Sequence, residues 1–163
     1  MRAASVNAEV IRALDNVSPA NITLVPFLGL AALPAFNPDQ DDDAPATVLE
    51  WRRELQQSHG VIISSPEYAH GVPGVLKNAL DWVVGSGEFM NKPVLLISAS
   101  PGSSFVGPQL AETLSVMMGR VHSVTLSVLG KKRDELSMRM DPVVSAEMID
   151  ALATLMALVE VAE

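Results

Sequence analysis

Apolar positions recur at helical spacing almost from the first residue. Val6, Val10, Ile11 and Leu14 mark one face of a helix, with Ser5 placed to cap it and Pro19 beyond its end. The period then changes. Ile22, Leu24 and Pro26 alternate through 22–28, which predicts a strand, and the proline assigns it to an edge. A loop rich in Pro, Asp and Asn follows as far as Pro45. Val48, Trp51 and Leu55 then predict a helix over 47–58. The run at 61–65 is short and apolar, as a strand buried on both faces would be, and 94–98 reads the same way behind Pro93. Helices are predicted at 75–84, with Pro73 near its first turn and Gly85 past its end, and at 109–118, closed by Gly119. A last strand is read at 124–129 and a closing helix at 144–161.

Strands separated by helices call for crossover connections and a parallel sheet, so the fold class is α/β. At 163 residues the chain reads as one domain, 1–163, without repeat or linker. An apolar fraction of 48% excludes a disordered chain. No uninterrupted apolar run reaches the length needed to span a bilayer, and no leader pattern opens the chain. The absence of cysteine removes disulfides and thiol chemistry and fits a cytoplasmic protein. A net charge of −8 argues against nucleic acid. Much of the acid lies in Asp39, Asp41, Asp42 and Asp43, which lack the spacing of a calcium loop and read as a solvated segment.

The chemistry concentrates between residues 64 and 82, where a strand runs into a polar turn and the turn into a helix. In open parallel sheets ligands bind at that carboxyl end of a strand. The segment reads Pro-Glu-Tyr at 66–68, then Pro-Gly-Val-Leu-Lys-Asn-Ala-Leu-Asp-Trp at 73–82. It closely resembles the NAD(P)H-dependent FMN reductases of the flavodoxin-like superfamily. The resemblance implies a three-layer flavodoxin-like sandwich, FMN as cofactor, NAD(P)H as co-substrate and a quinone-like or other small electron acceptor. It also implies a ping-pong exchange and a homodimer or homotetramer, with no nucleic acid or membrane partner.

The resemblance also assigns the site. Arg2, Ser5 and Asn7 match the end of the family's phosphate loop at the start of the first helix. Pro66, Glu67 and Tyr68 would contact the flavin ring through backbone and side chains, with His70 lining the site and Gly71 and Gly74 suiting the turn. Ser100 and Gly102, after the next strand, would face the ring and ribityl chain. Ala69 stands where the family often has Asn. Lys77, Asn78, Asp81 and Trp82 read as holding the helix and subunit contacts. No residue is assigned as an acid–base catalyst, because the coenzyme carries the reaction.

One piece of the pattern is missing. Family members open with an apolar strand and a Gly-Ser pair ahead of the Arg, neither of which is present here. That strand would lie inside the sheet, between 22–28 and 61–65. Three readings follow: the natural protein begins upstream, the flanking strands pair directly, or a partner chain supplies the strand by β-addition. The rivals to a reductase are a flavodoxin-like electron carrier and a flavin-free oligomeric domain.

Overall fold

The computed structural model describes residues 5–99, 102, 104–128 and 134–161. Three parallel strands, β1 (Val61–Ser64), β2 (Pro93–Ser98) and β3 (Arg120–Thr125), lie in the order β1-β2-β3. Their register pairs Ile62 with Leu95 and Leu95 with His122. The helices are α1 (Val6–Val17), α2 (Ala46–Gln57), α3 (Gly74–Asp81), α4 (Val106–Val116), α5 (Glu135–Met140) and α6 (Pro142–Glu160). Short 3-10 turns at Gly29–Ala32 and Pro38–Gln40 lie between α1 and α2.

Strand β2 is buried along nearly its whole length, and its alternating side chains divide the core. Val94 and Leu96 pack with Val48, Trp51 and Leu55 of α2, Leu80 of α3, and Leu110 and Leu114 of α4. Leu95 and Ile97 point the other way, toward Val10 and Leu14 of α1, Met138 of α5, and Met148 and Leu152 of α6. This is the α/β layering expected of the sequence.

Several boundaries differ from the reading of the sequence. The 22–28 segment forms no strand: exposure alternates over 22–25, with Ile22 and Leu24 half-buried and Val25 at 73%, but Pro26, expected on the inward side, is exposed and Phe27 is half-buried instead. Only its first half is sorted as in a strand, and no ladder partner stands beside it among the described residues. Direct pairing of 22–28 with β1 is not formed: among the described residues β1 is the edge of the sheet, with β2 on one side and no ladder on the other. Strand β3 begins at Arg120 rather than 124 because Arg120 N already donates to Lys92 O at 2.9 Å. Its pairing fades after Leu126 N reaches Ser98 O, where β2 ends.

Helix α4 starts three residues before its expected position. Pro108 falls in its first turn, where a missing N–H costs nothing. Helix α5 was not anticipated. It is capped by Asp134, which accepts from Ser137 N. Helix α6 is long and apolar enough, by length and composition alone, to cross a membrane, although Glu147 and Asp150 interrupt its apolar run. Its buried Val144, Met148, Ala151, Leu152 and Leu155 pack into the core beside β2.

Much of the Leu-Lys-Asn-Ala-Leu-Asp-Trp signature is architectural. Lys77 and Asp81 form an ion pair one helical turn apart. Asn78 Nδ2 and Trp82 Nε1 both donate to Pro34 O at 2.9 Å, and Asn78 Oδ1 accepts from Phe36 N at 2.8 Å. Together they strap the 33–37 segment to α3. Arg52 of α2 braces the same region, donating to Trp82 O at 2.8 Å and to Asp41 Oδ1 at 2.5 Å. One carboxylate of the acidic run is thus a structural partner.

Candidate active site

Three chain segments meet at the carboxyl ends of the strands. The first is the start of α1. Ser5 stands at the N-cap in extended conformation, but its side chain makes no capping bond, so it leaves the first-turn N–H groups of α1 without its hydroxyl. Asn7 Oδ1 accepts from Ser64 Oγ at 2.9 Å, which ties the helix start to the last residue of β1. With its oxygen committed, the amide nitrogen is the donor Asn7 can offer a ligand. Arg2 lies outside the described residues.

The second segment is the turn after β1. Tyr68 N donates to Gly71 O at 3.2 Å and Gly71 N to Tyr68 O at 2.9 Å, closing a two-residue hairpin. Its two central residues, Ala69 and His70, have φ of 50° and 59°. This is the left-handed region, which costs an L-residue about 1–2 kcal/mol. The strained positions are therefore Ala69 and His70, not the glycines at 71 and 74 that the sequence suggested. A Cβ at Gly71 would meet nothing closer than Tyr68 O at 3.6 Å, and one at Gly74 would meet open space. Pro66 is half-buried, and Tyr68 is 66% exposed, free to face a ligand.

The third segment runs from the end of β2 into α4. Ser100 lies outside the described residues, and Gly102 sits in an exposed turn. Phe105, at the N-cap of α4, has no side-chain acceptor of its own for the helix. Glu67 supplies one from across the crevice. Its Oε2 accepts from Phe105 N at 2.8 Å and Val106 N at 3.1 Å. The Phe105 N–H is the main reason the Glu67 carboxyl is held below its ordinary pKa. Partial burial opposes this, and Val106 N–H and nearby His70 reinforce it. The His70 ring stacks on Phe105, centroids 4.2 Å apart and planes 19° apart, while Gln109 Nε2 donates to His70 O at 2.9 Å.

Sequence reasoning assigned Glu67 to the flavin and left Phe105 and Gln109 unnoticed. The side chain of Glu67 instead faces α4, leaving its backbone as the part available to a ligand. No local spacing could have signalled this, because the partners are 38 and 39 residues away. Beneath the first turn of α4 lies a cavity of about 210 Å³ whose walls include Ile63, Leu96, Val106 and Leu110, with Ser123 and Thr125 as polar edges.

A parallel sheet flanked by helices, with loops gathered at the carboxyl edge beside an uncapped helix start, defines a flavodoxin-like α/β protein. The chain belongs to the NADPH-dependent FMN reductase family, whose profile matches residues 1–130. The quinone reductase of Escherichia coli K12 is 36% identical over 106 residues, covering 63% of this chain and 56% of that protein. A 2-hydroxy-1,4-benzoquinone reductase from a Burkholderia species is 31% identical over 116 residues, 69% of this chain and 62% of the relative. The chain thus spans somewhat over half the length of these relatives. In fold it is similar to FerB, a flavoenzyme NAD(P)H:acceptor oxidoreductase from Paracoccus denitrificans. That match has a TM-score of 0.71 and 23% identity, over 98% of this chain and 91% of that one.

Proposed function

We propose that this protein is an FMN-dependent oxidoreductase that takes hydride from NAD(P)H and delivers it to a quinone-like or other small electron acceptor. One observation carries the reading: the start of α1 and the 66–71 turn converge at the carboxyl end of β1, tied there by the Ser64–Asn7 bond. The residues present fit the coenzyme's two ends. The phosphate would lie at the start of α1, against Ser5 and Asn7, with Arg2 ahead of them in sequence. The corresponding end of α4 is already taken by the carboxylate of Glu67, which would repel a second anion. The ring would lie along Pro66, the backbone of Glu67, Tyr68, His70 and Gly71, with Ser100 and Gly102 on the side of the β2 loop.

When bound, FMN supplies a carrier able to accept a hydride and pass on its electrons. The protein's own share is to orient the partners and restrict water. Tyr68 and the His70–Phe105 pair present flat surfaces at the rim, and the backbone N–H groups of the turn offer fixed donors. The chain acts as a single domain, 1–163, in the cytoplasm, as a homodimer or homotetramer. Apolar side chains exposed on α5 and α6, such as Met140 and Val143, would be covered in that assembly.

The test is spectroscopic. Protein mixed with FMN should show bound-flavin absorbance, which NADPH bleaches and a benzoquinone restores. A protein that takes up no FMN sinks the proposal, and uptake without bleaching by either NADH or NADPH makes it an electron carrier.

A further inference from the structure

The two loops on either side of the ring site spring from adjacent strands, yet nothing in the β1–β2 ladder fixes the distance between their tips. That distance is set by contacts beyond the sheet. Glu67 spans from one loop to the other, with a single carboxylate oxygen accepting two consecutive N–H groups of α4. Such bonds are charge-assisted, and the helix dipole favours an anion at this end. Gln109, one turn into α4, holds the carbonyl of His70, and the His70 ring lies flat on Phe105. Between these anchors sit the two left-handed residues, Ala69 and His70, a conformation that persists only where its surroundings over-determine it.

We propose that Glu67 is a positioning residue. Its carboxylate, aided by Gln109, latches the 66–71 turn to the first turn of α4 and fixes the width of the slot that receives the coenzyme ring. The latch follows from the geometry, and its role in width-setting rests on the function proposed above. The bonds are made by the side chain, so the backbone of the turn stays available to the ligand. The latch also explains why α4 can begin at a phenylalanine. The capping group arrives from another loop, so the Phe105 and Val106 N–H groups are capped only when the turn is in place.

The experiment compares wild-type full-length protein with Glu67→Gln, Glu67→Ala and Gln109→Ala. Hydrogen exchange is read without coenzyme over 66–71, 104–110 and, as a control, 93–98. FMN affinity is read separately by fluorescence quenching. Glu67→Ala should speed exchange at 66–71 and 104–110 together by about tenfold or more, with 93–98 unchanged. Glu67→Gln, whose amide oxygen still accepts but without charge, should show about a two- to threefold effect. The dissociation constant for FMN should rise in the same order, about five- to tenfold for Glu67→Ala. Where Glu67→Ala fails to fold, Glu67→Gln and Gln109→Ala carry the comparison.

Unchanged exchange at 66–71 in the Glu67 variants overturns the latch. Exchange that responds while FMN affinity stays level overturns the width-setting role. A wild-type protein that takes up no FMN removes the coenzyme reading, and the exchange data then decide the latch by themselves.

Discussion

Asn78 and Trp82 share one acceptor, and that arrangement predicts a measurable non-additivity. Both donate to Pro34 O at 2.9 Å, and Trp82 is fully buried with Phe36 edge-on at 5.1 Å. Trp82→Phe removes one donor, about 0.5–1.5 kcal/mol net. The smaller ring adds a packing loss of about 1–2 kcal/mol, a fraction of a full truncation. Together these come to about 1.5–3.5 kcal/mol. Asn78→Ala deletes two bonds, offset by about 0.5 kcal/mol of helix propensity, and should cost about 0.5–2.5 kcal/mol. In each single variant Pro34 O keeps a donor. In the double variant it has neither, and a half-buried orphan carbonyl costs about 1 kcal/mol more, the low end because water can reach it. The double variant should therefore lose about 1 kcal/mol beyond the sum of the singles. Urea unfolding reads this from midpoints at constant slope. Additivity within about 0.3–0.5 kcal/mol would refute the shared-acceptor argument.

Relief of the turn strain should be visible as well: Ala69→Gly should stabilise by about 0.5–1 kcal/mol, the left-handed penalty exceeding the added freedom of the unfolded chain. Calorimetry should show Tm rising by about 1–4 °C, and a fall would contradict the observed φ of 50°. Glu67 predicts a pH dependence. Its folded pKa lies below the ordinary value, so its contribution is fully present above the ordinary carboxylate range and is lost as pH falls through the folded value. Asp134, depressed by the hydroxyl and N–H of Ser137, adds loss in the same direction in both proteins compared. Wild type should therefore exceed Glu67→Gln in Tm at neutral pH and converge with it in acid. Parallel curves throughout would count against the charge of Glu67.

The sequence made the layering, two of the three strands and the motif-bearing turn legible, because each rests on a local period or a short contiguous signature. The 22–28 segment shows the limit of that reasoning. Its alternation holds for Ile22 and Leu24 but breaks at the exposed Pro26, and a strand also needs a neighbour, of which none stands beside it among the described residues. Strand β3 was placed late because Arg120, His122 and Ser123 interrupt its apolar pattern; only the ladder with β2 reveals its start. Within the site, the meeting of α1 with β1 through Asn7 and Ser64 agrees with the expected convergence, whereas Arg2 and Ser100 fall outside the described residues. The latch of Glu67 onto α4 was out of reach of any pattern, because its partners are backbone N–H donors whose position depends on the finished fold. The same holds for the signature tryptophan, whose indole partner is a carbonyl 48 residues earlier.

The alternating inward and outward side chains of β2 have a consequence for how the molecule fails. Helix α1 hangs on one of the two half-cores and helix α4 on the other, so the crevice is a seam with each bank anchored in separate ground. Loosening either bank would spread the seam while the opposite half stayed intact. Coenzyme retention should then give way on warming before the protein as a whole does, which makes bound flavin a sensitive witness to partial melting.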